Sequence, residues 1–198
     1  MNGIILEGIP CTGKSTLLRA LRAHPALAPR QSLLVLSDLY TERAADGAPE
    51  RFEHHMYRLL AAVEPLRVLT VESEALRGVD SARLIYLFER FHLTNILRHA
   101  GGDLDMLRRV EGMMRFYQPL TVLLHLAPEL IEERLRSAGE AAWRAHGDDV
   151  AAAAARLAAL QEDYVRLAAA CTLPTVTIAA DDEALERVAE LVIRRSES

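Results

Sequence analysis

A chain of 198 residues that is 51% hydrophobic, 26% charged and 5% aromatic can bury one ordinary core, which excludes a fibrous or disordered protein. A net charge of −5 and a pI near 5.8 exclude a broad basic field, so neither nucleic acid nor an anionic membrane is expected as a partner. The first residues lack a signal peptide's basic and apolar regions, no apolar run reaches spanning length, and Cys11 and Cys171 lack metal-ligand spacing; a soluble, cytoplasmic protein in a reducing compartment is expected.

Residues 3–7 form a short apolar run that ends in a glycine-rich turn, and residues 15–23 then carry Leu17, Leu18 and Leu21 at helical spacing. His24-Pro25 and Pro29 break that helix, and residues 33–36 read as a second buried strand. Helices are predicted over 50–63 and from Pro65 to about residue 77. A third strand spans 83–88 and ends at Glu89-Arg90; Gly101-Gly102 is a break before a helix over 103–114. A fourth strand covers 120–126, and Pro128 opens a helix ending near Gly139. The alanine-rich stretch 151–170 keeps a stripe of Leu157, Leu160, Tyr164 and Leu167, so it is a helix rather than low-complexity chain. Residues 174–178 are a fifth strand and 182–195 a closing helix. Short apolar strands alternating with helices predict an α/β domain, residues 1–198, with a parallel sheet covered on both faces.

The motif Gly8-Ile9-Pro10-Cys11-Thr12-Gly13-Lys14-Ser15 sits between the first strand and the first helix. Glycines there let successive backbone N–H groups turn toward phosphate oxygens, and the helix start adds its dipole. Gly8, Pro10, Cys11, Thr12, Gly13, Lys14, Ser15 and Thr16 are the expected nucleotide cradle, with Lys14 reaching the terminal phosphates and Ser15 placed for Mg²⁺. Lys and Arg together number 23, yet lysine occurs once, at Lys14. A compact ammonium fits between phosphate oxygens where a forked guanidinium does not.

Glu89, at the end of the third strand, is the candidate second Mg²⁺ ligand, and Arg90 beside it a candidate for a substrate oxygen or phosphate. Glu7 and Asp38 also lie at strand ends; each is a candidate to accept a proton from a substrate hydroxyl or help hold the metal, or else a structural carboxylate that bonds loop amides. The stretch of about 136–148 reads as a lid, and Arg134, Arg136 and Arg144 are the candidates to close over a transferring phosphoryl group.

These motifs resemble the thymidylate kinase and deoxynucleoside kinase superfamily. Glu7-Gly8 leading into Thr12-Gly13-Lys14-Ser15-Thr16, and Leu87-Phe88-Glu89-Arg90-Phe91 with Thr94, carry the resemblance. It implies a P-loop NTPase fold: a three-layer α/β/α sandwich, five parallel strands in the order 2-3-1-4-5, and a helical lid. It also implies ATP with Mg²⁺, transfer of the γ-phosphoryl group to a nucleoside or nucleoside monophosphate, and a homodimer. Carried over by position, Glu7 would be the general base and Arg90 the arginine beside the acceptor group. The chain departs from the pattern at Pro10, where thymidylate kinases carry an acid, and at Ser37-Asp38-Leu39, where they carry Arg-Glu-Pro. Acceptor binding then falls to Asp38, Glu89, Arg90 and one of Arg43, Arg51 or Arg58. Two other readings remain open at this point: a phosphotransferase for another small-molecule hydroxyl, and a nucleotide-binding switch without transfer chemistry.

Overall fold

A computed structural model of the chain describes residues 2–25, 32–36, 57, 61, 84–115 and 119–197. Five strands occur among them: β1 (Asn2–Glu7), β2 (Ser32–Leu36), β3 (Leu84–Glu89), β4 (Pro119–His125) and β5 (Thr175–Ala179). They form one parallel sheet in the order β2-β3-β1-β4-β5. Seven helices accompany them: α1 (Lys14–Ala23), α2 (His92–Ala100), α3 (Leu104–Met114), α4 (Pro128–Ala138), α5 (Glu140–Arg144), α6 (Val150–Ala170) and α7 (Ala184–Glu197). The helices expected over 50–63 and 65–77 lie outside the described residues, apart from Tyr57 and Ala61, which are helical.

The central strands are apolar without alternation because both of their faces are covered. Ile4, Ile5 and Leu6 of β1 are buried, as are Tyr86, Leu87 and Phe88 of β3 and residues 119–124 of β4. At the edge, β5 exposes Thr177 and Ala179. Helices α1 and α7 pack on one another and on the sheet, while α2, α3 and α6 form a second group that reaches it through α6 and β4. Right-handed crossovers run in opposite directions from β1 to β2 and from β4 to β5, so the two helix groups lie on opposite faces. The chain thus reverses its direction of travel around β1, and the loop leaving β1 opens into the crevice at the strands' carboxyl ends.

Local signals account for several helix ends. Asp103 accepts hydrogen bonds from the Asp105 and Met106 amides at the start of α3, and Asp149 does the same for Ala152 in α6. Along α6, Ala153, Leu157, Gln161, Tyr164 and Leu167 face inward, which confirms the stripe seen through the alanines. Helix α2, by contrast, has no equivalent in the sequence reading. Its N-cap, Phe91, provides no side-chain cap, and the partner of its first amides comes from 84 to 87 residues away.

Candidate functional site

The β1–α1 loop departs from ordinary backbone geometry. Gly8 has φ 133° and Gly13 has φ 82°, in the region where side chains are strained. A Cβ on Gly8 would lie 2.6 Å from the Leu124 carbonyl oxygen, so only glycine allows the loop to leave β1 against β4. Among the described residues, two non-glycine residues have positive φ, Cys11 at 67° and Arg90 at 54°. Both belong to this site. Such conformations cost about 1–3 kcal/mol each and persist where surrounding structure holds them. For Arg90 that hold is partly its backbone N–H, which donates to the Leu6 carbonyl at 2.9 Å.

Lys14 is 4% exposed. Its Nζ donates to the Gly8 and Ile9 carbonyls at 2.8 and 2.6 Å and to Thr12 Oγ1 at 3.2 Å. Thr12 in turn donates to the Ile9 carbonyl at 3.0 Å. The ammonium therefore sits inside the curl of the loop, in reach of anything the loop encloses. One residue on, the Ser15 hydroxyl donates to Glu89 Oε1 at 2.5 Å. A hydroxyl and a buried carboxylate facing one another are an all-oxygen donor pair of the kind Mg²⁺ takes, so the residues present fit that ion.

Cations converge on the loop. Burial pushes the Cys11 thiol above its ordinary pKa, and the charges of Lys14, Arg90 and Arg134 pull it back. His146, between α5 and α6, is held below its ordinary value first by burial and then by Arg90, Arg98 and Arg156. An acidic protein thus gathers positive charge at one place. Beside the loop, a cleft of about 280 Å³ is lined by Thr12, Gly13 and Thr16, by Leu17 and Ala20 of α1, and by Arg134 and Asp181-Asp182.

The site residues expected from sequence divide as follows. Gly8, Pro10, Cys11, Thr12, Gly13, Lys14, Ser15, Thr16, Glu89, Arg90 and Arg134 come together around the loop and its cleft. Arg136 does not join them: it is exposed and paired with Glu132 along α4. Arg144 is paired with Glu140 on the exposed face of α5 at 2.5 Å. Asp38 and Arg58 lie outside the described residues.

Glu7 is placed differently from a general base. It is fully buried, with Oε1 accepting from the Phe91 and Leu93 amides at 2.9 and 3.0 Å. Its Oε2 accepts from the Thr94 amide at 3.3 Å and the Thr94 hydroxyl at 2.5 Å. Four donors of the chain itself are directed at this carboxylate, so in this structure Glu7 holds the start of α2, the amide-bonding alternative named for it above. Thr94 also pairs with the Tyr164 hydroxyl at 2.8 Å, linking this network to α6. Arg98, Arg156 and Tyr164 carried no motif, and only the tertiary fold brings them near.

No family model and no curated protein matches the chain. A solved structure of similar fold is the YorR protein of Bacillus subtilis in complex with phosphorylated GDP. It is 23% identical, covers 98% of this chain and 95% of its own, and superposes with a TM-score of 0.60. At that identity the likeness shows a common fold. No helix among the described residues is long and apolar enough to cross a membrane.

Proposed function

We propose that this chain is an ATP-dependent P-loop kinase, similar to thymidylate kinases, that transfers the γ-phosphoryl group to a nucleoside or nucleoside monophosphate. The observation that carries the reading is the placement of Lys14: the chain's single lysine is buried within a loop of strained backbone, one residue from a serine paired with a strand-end carboxylate. That YorR, alike in fold, was solved with phosphorylated GDP supports nucleotide binding by this chain.

In this reading the loop amides from Gly8 to Ser15 cradle the triphosphate, and Lys14 exchanges its carbonyl partners for phosphate oxygens. Ser15 and Glu89 hold Mg²⁺, which neutralises charge on the phosphates when bound. Arg134, at the rim of the cleft, and Arg90, at the end of β3, stabilise negative charge on the transferring group and on the acceptor. The acceptor oxygen attacks the γ-phosphorus in line, the bond to the β-phosphate oxygen breaks, and ADP leaves. With Glu7 committed to α2, a hydroxyl acceptor passes its proton to Asp38 or to water, and a phosphate acceptor needs no base. Pro10 and Ser37-Asp38-Leu39 stand where thymidylate kinases bind their acceptor, which favours a second reading, a kinase for another small alcohol.

An ADP-release assay across nucleosides, nucleoside monophosphates and other hydroxylated metabolites separates these readings. Stimulation by a nucleoside or its monophosphate is expected. Turnover confined to other alcohols establishes the second reading, and ATP binding with no stimulation by any acceptor removes the kinase.

A further inference from the structure

A second cluster lies among α2, α3 and the connection from α6 to β5, and the site described above makes no use of it. His92, the first residue of α2, is completely buried, and neither ring nitrogen has a hydrogen-bond partner. Glu111 of α3 is also completely buried. Its Oε2 accepts from the Thr172 amide and hydroxyl at 2.7 and 2.6 Å, while Oε1 has no hydrogen-bond partner. That Oε1 stands 3.9 Å from His92 Nε2. Cys171 ends α6 beside them, and one donor atom from each of the three residues falls within 4.8 Å of the others. Each buried polar atom left without a partner costs about 1–3 kcal/mol, so two that face one another beside a thiol, His92 Nε2 and Glu111 Oε1, need a physical reason. A protonated imidazole does not supply it, because 3.9 Å to Glu111 and 3.9 Å to Glu7 are both beyond hydrogen-bonding distance.

We propose that His92, Glu111 and Cys171 bind a divalent transition metal ion of the zinc class. The set offers one nitrogen, one oxygen and one sulfur donor, which suits Zn²⁺ and does not suit Mg²⁺ or Ca²⁺, whose shells are oxygen. Tetrahedral bonds of about 2.0–2.3 Å place neighbouring ligand atoms roughly 3.3–3.8 Å apart, so the cluster has to close by up to about 1.3 Å. A water or the second Glu111 oxygen completes the shell. Binding breaks the Cys171 S–H bond, forms a metal–sulfur bond and releases the proton to solvent. Burial, then the Glu111 charge and a hydrogen bond to Glu111, push this thiol up to about 12, so the metal-free protein carries the protonated form, which the metal must displace from Glu111.

The ion would tie together three segments far apart in sequence. It would also lie next to the nucleotide site, because the other ring nitrogen of His92 stands 3.9 Å from Glu7 Oε1, in van der Waals rather than hydrogen-bonding range. Glu7 holds the amides that follow Arg90. The metal would therefore brace the turn that presents Glu89 and Arg90. None of this depends on the kinase reading.

The test is a titration of the reduced, chelator-stripped full chain with Co²⁺ alone. One equivalent per chain is expected, with tetrahedral d–d bands and a thiolate-to-cobalt charge-transfer band. The band should survive Cys11→Ser and vanish in Cys171→Ser. His92→Gln should weaken binding by more than the roughly 10–100-fold that loss of a supporting contact brings. Zn²⁺ should displace the cobalt and, at about a hundredfold excess over Kd, raise Tm by roughly 5–10 °C. Absence of the charge-transfer band in the folded wild-type chain overturns the proposal whatever the variants do. Cobalt taken up without that band, as at Ser15 and Glu89, also overturns it. So does a band that persists in Cys171→Ser, which would belong to Cys11.

Discussion

Glu7 and Glu89 end neighbouring strands, Leu6 pairs in register with Glu89, and both carboxylates are buried. From sequence both are acids at strand ends, Glu89 read as a second Mg²⁺ ligand and Glu7 as a base or an amide-bonding carboxylate. Their partners differ. Glu7 is surrounded by donors of the chain itself and anchors the start of α2; Glu89 faces a hydroxyl at the start of α1, where an incoming ion can compete. A carboxylate whose lone pairs are filled by amides contributes to folding, and one whose partner is exchangeable contributes to binding.

This contrast can be broken or sharpened in order of effect. Lys14→Ala should lower turnover at least about 10²-fold, because charge on the transferring phosphoryl group loses its nearest preorganised cation; steady-state ADP release checks it. Glu89→Gln should cost about 10²-fold in turnover at low Mg²⁺, regained in part as Mg²⁺ is raised, with an unfolding midpoint close to wild type. Glu7→Gln should do the opposite. Replacing an oxygen acceptor by an amide that points N–H at N–H should destabilise the fold by roughly 2–4 kcal/mol, read from urea unfolding, while the folded fraction turns over within about tenfold of wild type. Should Glu7→Gln abolish turnover in a fully stable protein, Glu7 is the base after all and the contrast fails. Arg134→Ala should slow turnover by about tenfold or more, and Arg136→Ala by less than about twofold with a stability change within about 0.5 kcal/mol, since its ion pair with Glu132 is exposed. The smallest effect concerns the thiols: both are pushed above the ordinary cysteine range, Cys171 to about 12, so alkylation at neutral pH should be slow, faster at Cys11, and slowed further there by ATP.

Much of this was readable before folding. The unbroken apolar runs of β1, β3 and β4, the loop glycines and the alanine-backed stripe of α6 are local signals, and the parallel alternation of strand and helix follows from them. What escaped was non-local. Helix α2 is capped by a residue on β1, so no window around residue 92 contains its start signal. The partners of Glu7 are amides 84 to 87 positions further on, which position at a strand end cannot reveal. His92, Glu111 and Cys171 have no spacing to recognise because three separate elements deliver them. Conversely, Arg136 attracts notice by its charge and its place after the fourth strand, and only the fold shows its side chain paired along α4 with Glu132.

The solitary lysine has a practical consequence. Apart from the α-amine of the chain, no other amino group is available to acylating reagents, lysine-directed crosslinkers or enzymatic acyl and ubiquitin transfer. The whole of that chemistry is focused on one shielded nitrogen at the centre of the site, so its rate of labelling is an intrinsic gauge of whether the loop is occupied.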